Sequence, residues 1–139
     1  MKRPDVLRIG TSEADIARVY PWLDEVAEPN RLPEKLLYSM HVALEEAVMN
    51  VVLHGYGSGE AGEVNISYQA SAAAAVLEIE DHGREFDPVT AEVPNRAMSL
   101  AEAKPGGLGL GLLRHHCPDL RYQRDGGRNL LTLVFPLQS

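Results

Sequence analysis

The sequence has a single cysteine, few aromatic residues and no excess of positive charge. Cys117 is the one cysteine, so an internal disulfide is impossible and a disulfide-stabilised secreted scaffold is excluded. The formal net charge is -7, which argues against nucleic acid or an anionic membrane surface as a direct partner. The first residues lack the apolar core of a secretory signal, and we find no apolar run of the roughly 20 residues that a membrane span needs. These absences predict a protein of the reducing cytoplasm.

The order of the predicted elements indicates one α+β domain. A chain of 139 residues closes one two-layer core, and neither a repeat nor a linker divides it, so residues 1–139 are read as a single domain. Alternating apolar positions predict strands. The predicted strands are 6–9, two strands around 64–68 and 77–80 that pair as antiparallel neighbours, and a second hairpin of 120–124 and 130–135 with its turn at 125–127.

Apolar positions three and four residues apart predict helices between these strands. Thr11 or Ser12 caps the first helix, and Pro21 is expected to bend or divide it. A long helix opens at Pro33 and runs to Gly55. A short helix covers about 108–116. The elements together predict a two-layer α/β sandwich in which helices cover one face of a mostly antiparallel sheet.

One flank of the long helix carries polar residues at helical spacing. Glu46, Asn50 and His54 lie one turn apart with Ala47 beside them, while Leu44 points the other way. A solvated face is the simpler interpretation of this flank taken alone. The alternative is a ligand site, because a carboxylate and an amide oxygen are hard donors that can hold Mg²⁺ or orient a hydroxyl.

The end of the strand at 77–81 carries a second polar signal. Asp81 is in phase with Leu77 and Ile79, so its carboxylate is directed toward the buried side of the sheet, where an unpartnered charge is costly. One interpretation is that Asp81 swings out to cap the turn at Gly83. The other is that it accepts a hydrogen bond from an exocyclic amine such as that of adenine.

A glycine-rich segment precedes the short helix. It reads Gly106-Gly107-Leu108-Gly109-Leu110-Gly111, and glycines at a helix start let backbone N–H groups approach a phosphate. A Rossmann turn would follow a strand directly, whereas here a proline-bearing loop precedes the glycines. The segment also lacks the Lys-Ser/Thr of a Walker loop, and a purely structural turn remains the alternative.

In order and spacing, the three segments together resemble the N, G1 and G2 boxes of the GHKL ATPase superfamily, whose domain is the Bergerat ATP-binding fold. Within it the chain is most similar to the anti-sigma-factor serine/threonine protein kinases, from about Pro33 to Leu137. The matching motifs are Glu46-x-x-x-Asn50 with His54-Gly55-Tyr56, Asp81-x-Gly83 with Phe86-Asp87-Pro88, and Gly106-Gly107-Leu108-Gly109-Leu110.

The resemblance implies a role for each matching position. Glu46 would be the general base for the attacking hydroxyl, Asn50 would coordinate Mg²⁺, and Asp81 would accept from the adenine amino group with Gly83 giving the base room. The loop over the phosphates would comprise Gly106, Gly107, Leu108, Gly109, Leu110 and Gly111, and the ATP lid would lie between Asp87 and Pro105. The family commonly has a Gly-Thr pair leading into the last strand, which is missing here, and Thr132 is the candidate substitute.

The resemblance also implies partners. An anti-sigma kinase uses ATP and Mg²⁺, sequesters a sigma factor, phosphorylates an antagonist protein and often forms a homodimer. Two alternatives stay open: a module that switches a partner surface by nucleotide occupancy without phosphotransfer, and a detached catalytic domain of the histidine-kinase type.

Overall fold

A computed structural model describes residues 4–56, 62–91 and 109–137 of the chain. The strands are β1 (Asp5–Ile9), β2 (Val64–Ala70), β3 (Ala74–Asp81), β4 (Asp119–Asp125) and β5 (Arg128–Pro136). The helices are α1 (Glu13–Ile16), α2 (Val19–Ala27), α3 (Glu34–Asn50) and α4 (Gly109–His116), with a 3₁₀ turn at Glu28–Asn30 and a π-helical turn at Val51–Tyr56.

The five strands form one sheet in the order β1-β2-β3-β5-β4, and all four pairings are antiparallel. Side chains alternate along β2, β3 and β5, so one face of each strand is buried. Leu77, Ile79 and Leu133 on that face are fully buried. The predicted α+β sandwich is therefore confirmed, as are both predicted hairpins. Gly126 and Gly127 have positive φ angles of 56° and 80°, as the two-residue turn of the second hairpin requires.

The long helix α3 forms the centre of the helical layer. Met40, Leu44 and Val48 are at most 1% exposed. The helical stretch Glu34–Tyr56 spans 23 residues with a mean hydropathy of 1.3 in its most apolar window, enough by length and composition for a membrane span. No such stretch was expected from the sequence. Because α3 also packs against α2, α4 and the sheet, its apolar residues are accounted for by the core of this domain.

Two predicted features of the helices were wrong. The first helical region is divided at Ala17 and Arg18 rather than at Pro21, which lies in the first turn of α2. A proline is tolerated there because the first N–H groups of a helix have no partner within the helix. Gly55 does not stop the long helix either, because the helical backbone widens into a π-turn and continues to Tyr56.

Candidate functional site

The polar residues of the first two predicted segments meet where the C-terminal end of α3 faces the ends of β3 and β5. Asn50, Gly55 and Asp81 line one pocket. Gly55 and the Asp81 carboxylate lie close together, because a Cβ atom built on Gly55 would lie 3.3 Å from Asp81 Oδ1. Glu46, one turn before Asn50 on α3, does not line this pocket but lies against Gly109, where an added Cβ atom would collide with the Glu46 carboxylate. The fold thus brings residues of all three segments together.

Glu46 has a partly desolvated carboxylate at the start of α4. Its side chain is half-buried, and burial, followed by the negative charge of Glu45, raises the pKa of Glu46 above its ordinary value. A carboxylate with a raised pKa is a better proton acceptor near neutral pH than an exposed one. The flank of α3 that carries Glu46 is therefore not a solvated face.

Asn50 lies one turn further along α3 and is 2% exposed. Its Nδ2 donates to the Glu46 backbone oxygen at 2.8 Å, which fixes the side-chain orientation. Its Oδ1 is buried and has no hydrogen-bond partner among the described residues, a property it shares with Asn65 Oδ1 on β2. A buried acceptor without a partner is costly, and at Asn50 it lies in a pocket where a ligand could satisfy it.

Asp81 stays on the buried face of β3 and also caps the turn at Gly83. The side chain is 2% exposed, in phase with buried Leu77 and Ile79. Its Oδ1 also accepts a hydrogen bond from the Gly83 N–H at 2.8 Å. The turn is therefore capped without moving the carboxylate out of the pocket.

Gly83 is a glycine for a steric reason. A Cβ atom at this position would lie 2.5 Å from the Gly55 backbone oxygen, and that oxygen accepts from the Arg84 N–H at 2.7 Å. Any larger residue at position 83 would push the β3 turn away from the end of the long helix.

Asn129 on β5 is the site residue that the sequence analysis missed. It is 5% exposed and pairs directly across the sheet with Asp81. Its Nδ2 donates to Asp81 Oδ1 at 3.0 Å and to the Arg84 backbone oxygen at 2.8 Å. Its Oδ1 accepts from Tyr122 Oη at 2.5 Å and from Arg124 Nη1 at 3.0 Å. All its hydrogen-bonding positions are filled, so Asn129 holds the Asp81 carboxylate in a fixed orientation.

Thr132, the candidate substitute for the family's Gly-Thr pair, faces away from the pocket. It pairs with Glu78 and Arg121, and side chains along a strand alternate between faces. Asn129 and Leu131 of the same strand line the pocket instead. In the last strand the pocket is therefore lined by Asn129 and Leu131 and not by Thr132.

The glycine-rich segment is described only from Gly109 onward. Gly106, Gly107 and Leu108 lie outside the described residues, as does most of the predicted lid. Gly109, Leu110 and Gly111 form the first turn of α4 rather than a loop. Leu110 is 4% exposed, so its side chain belongs to the protein interior.

Arg114 of α4 fixes the chain where the predicted lid begins. Its guanidinium donates to the Pro88 backbone oxygen at 2.9 and 2.7 Å and also to the Ala91 backbone oxygen. Phe86 stacks on the His54 ring with 4.2 Å between ring centroids. These contacts hold residues 86–91 against both helices that flank the site.

The pocket itself is narrow. Its cavity volume is about 20 Å³, roughly the room that one water needs. No group of three histidine, cysteine or acidic side chains suited to a metal ion occurs in the part of the chain that the structure describes. A cation at this site would therefore need ligands from a bound molecule in addition to Asn50.

A family model and individual relatives both match most of this chain. Residues 10–135 match the family described as histidine kinase-like ATPase domain. The chain is 32% identical over 132 residues to the serine/threonine-protein kinase BtrW of Bordetella bronchiseptica, covering 95% of this chain and 93% of that protein. It is 24% identical over 100 residues to an anti-sigma F factor of Clostridium botulinum, covering 72% of this chain and 62% of that protein.

A solved structure has the same fold. The crystal structure of the RsbU and RsbW domains of Rv1364c from Mycobacterium tuberculosis superposes with a TM-score of 0.67. The superposition covers 96% of this chain and 32% of that chain, at 15% sequence identity. At this identity the likeness concerns the fold alone.

Proposed function

The chain belongs to the histidine kinase-like ATPase domain family, which confirms the resemblance of the three boxes, and we propose that it is an ATP-dependent serine/threonine protein kinase that acts as an anti-sigma factor. The observation that carries this proposal is the buried, unpartnered Asn50 Oδ1 in a pocket that also contains Asp81. Glu46 lies close by with a raised pKa. These observations support the roles of cation ligand, amine acceptor and proton acceptor that we propose for Asn50, Asp81 and Glu46.

The donor set around Asn50 fits Mg²⁺ bound together with nucleotide phosphates. Mg²⁺ prefers oxygen ligands, and in such sites it keeps waters and takes most of its protein contacts from one or two residues. Asn50 Oδ1 supplies one such oxygen, and the Nδ2 bond to the Glu46 backbone oxygen keeps it in place. When bound, the ion would neutralise charge on the transferred phosphoryl group.

Asp81 fits the amino group of adenine. An ionised carboxylate is an acceptor only, and the hydrogen bonds described for Asp81 both use Oδ1. Its other oxygen is therefore left to accept from the exocyclic amine of the base. Asn129 fixes the orientation of the carboxylate and so acts as a positioning residue.

Adenine requires the pocket to widen, because a cavity of about 20 Å³ cannot hold a purine ring. Phe86 and Pro88 line the pocket from the segment that leads into the predicted lid. Arg114 holds that segment through backbone oxygens alone. We propose that nucleotide binding moves this wall outward.

The names of two relatives support the partners that we propose. One relative is named a serine/threonine-protein kinase and another an anti-sigma F factor. We therefore propose that this chain is a cytoplasmic protein that sequesters a sigma factor. It releases the sigma factor when it binds an antagonist protein. A serine or threonine of the antagonist then receives phosphate from ATP.

Asn50→Ala tests the cation part of the site. We expect it to remove most of the Mg²⁺ dependence of ATP binding, lowering ATP affinity about tenfold in Mg²⁺ and little in EDTA, because one oxygen ligand is lost. Isothermal titration with ATP under both conditions measures this effect. Asn65→Ala is the matched control, since it also removes a buried amide oxygen without a partner, but Asn65 does not line this pocket. Equal Mg²⁺ dependence in the wild type and Asn50→Ala would contradict the assignment.

A further inference from the structure

A second cavity lies at the opposite end of α3 from the nucleotide pocket. Its volume is about 580 Å³, and it is formed where the loop before α3 meets the end of β5. Lys35, which lines it, precedes Asn50 by about 22 Å along the helix axis. A cavity of this size is within the range of ligand-binding clefts. None of the residues assigned to ATP lines it.

The charged side chains that line this cavity are all positive. Arg31 and Lys35 line it, and no carboxylate of the residues 4–56, 62–91 and 109–137 does, although Glu28 and Glu34 are close in sequence. This cationic lining is opposite in sign to the net charge of -7 of the whole chain. The cavity therefore favours an anionic occupant.

The wall between the cations is apolar. Leu32, Leu36 and Leu137 line the cavity and are packed against the hydrophobic core without being fully buried. Apolar surface beside positive charge suits a ligand that has both apolar side chains and carboxylates.

Arg31 is held in place by the loop that carries it. Its backbone has φ 48° and ψ 52°, and it is the only residue other than glycine with positive φ among those described. Its N–H donates to the Glu28 backbone oxygen at 3.0 Å, and the preceding Asn30 accepts from Tyr68 Oη at 2.5 Å. Glycine or asparagine would adopt this conformation more easily. The guanidinium is thus presented at the cavity from a fixed backbone.

We propose that this cavity, lined by Arg31, Lys35, Leu32, Leu36 and Leu137, is a docking site for an acidic peptide segment with apolar side chains, contributed by a partner protein. The site is separate from the nucleotide pocket and does not depend on the proposed phosphotransfer. Carboxylates of the segment pair with the two cations, and its apolar side chains occupy the leucine-lined wall.

Fluorescence anisotropy with a short labelled peptide of alternating glutamate and leucine tests the proposal. Wild-type protein should bind it saturably, and should bind a lysine–leucine peptide of equal length at least tenfold more weakly. The double variant Arg31→Gly/Lys35→Gln should weaken binding about tenfold, because two exposed charge pairs are lost. Glycine suits the Arg31 backbone, so the fold is expected to persist.

Arg8→Gln/Arg121→Gln is the matched control, since it removes the same charge from other exposed positions and should bind like the wild type. Equal weakening in this control, or equal binding of the lysine–leucine peptide, would overturn the proposal. So would no saturable binding by the wild type. A concentration-dependent dimer that Arg31→Gly/Lys35→Gln abolishes in sedimentation would instead identify a second copy of the chain as the occupant.

Discussion

Glu46→Gln should reduce phosphate transfer from ATP by about 100-fold to 10,000-fold, which is the usual contribution of a general base, while ATP binding stays within a few-fold of the wild type. The amide has the shape of the carboxylate but cannot take a proton. Glu46 lies against Gly109 at the first turn of α4, so a residue of equal size preserves that contact. Single-turnover transfer and calorimetric ATP affinity separate the two effects.

Glu45→Gln is the matched control, because Glu45 is the exposed neighbour of Glu46. Burial and the Glu45 charge raise the pKa of Glu46, so the transfer rate should fall as the pH falls through that raised pKa. Removing the Glu45 charge lowers the Glu46 pKa and should shift this acidic limb to lower pH without loss of the maximal rate. A wild-type rate in Glu46→Gln would rule out Glu46 as the base.

Asp81→Asn should weaken ATP binding by about 2 kcal/mol, or roughly thirtyfold in Kd, because a charge-assisted hydrogen bond to the base is lost. Gly83 and Asn129 both donate to Asp81 Oδ1, so the asparagine must keep its oxygen on that side. Its amide N–H₂ then faces the adenine amino group, and two donors oppose each other. Because both internal hydrogen bonds survive, the free energy of unfolding should change less than the binding free energy.

Calorimetry and urea unfolding of the same samples compare these two energies. Asp125→Asn, at the exposed end of β4, is the control for loss of one carboxylate from the sheet and should leave ATP affinity unchanged. If Asp81→Asn binds ATP as tightly as the wild type, Asp81 is only the cap of the Gly83 turn.

Those parts of the fold and site that follow from periodicity were predictable from the sequence. Alternation placed Asp81 on the buried face of β3, and helical spacing placed Glu46 and Asn50 on one flank of α3. The same reasoning would have found Asn129, which alternates in phase with buried Leu131. A polar residue on the buried face of a strand needs a partner. The in-phase position of Asn129 therefore indicated a buried polar contact, but Asn129 was not among the predicted site residues.

Other features depend on tertiary contacts that no local pattern encodes. The π-turn after Asn50 brings Gly55 against Gly83, and its residues have no periodicity that distinguishes them from an ordinary helix. The break at Ala17 and Arg18 separates α1 from α2, although Ile16 and Val19 on either side of it contribute to the same core. Arg114 binds backbone oxygens 23 and 26 residues away, and hydrogen bonds to backbone oxygens leave no trace in residue identity.

The most direct test of the kinase assignment is incubation of the protein with [γ-³²P]ATP, Mg²⁺ and candidate antagonist proteins. We expect acid-stable label on a serine or threonine of one such protein. This label should be absent when Glu46→Gln replaces the wild type. Acid-labile label on a histidine would instead identify a catalytic domain of the histidine-kinase type. No label on any candidate, with ATP tightly bound, would contradict phosphotransfer and leave a module that switches its partner surface by nucleotide occupancy.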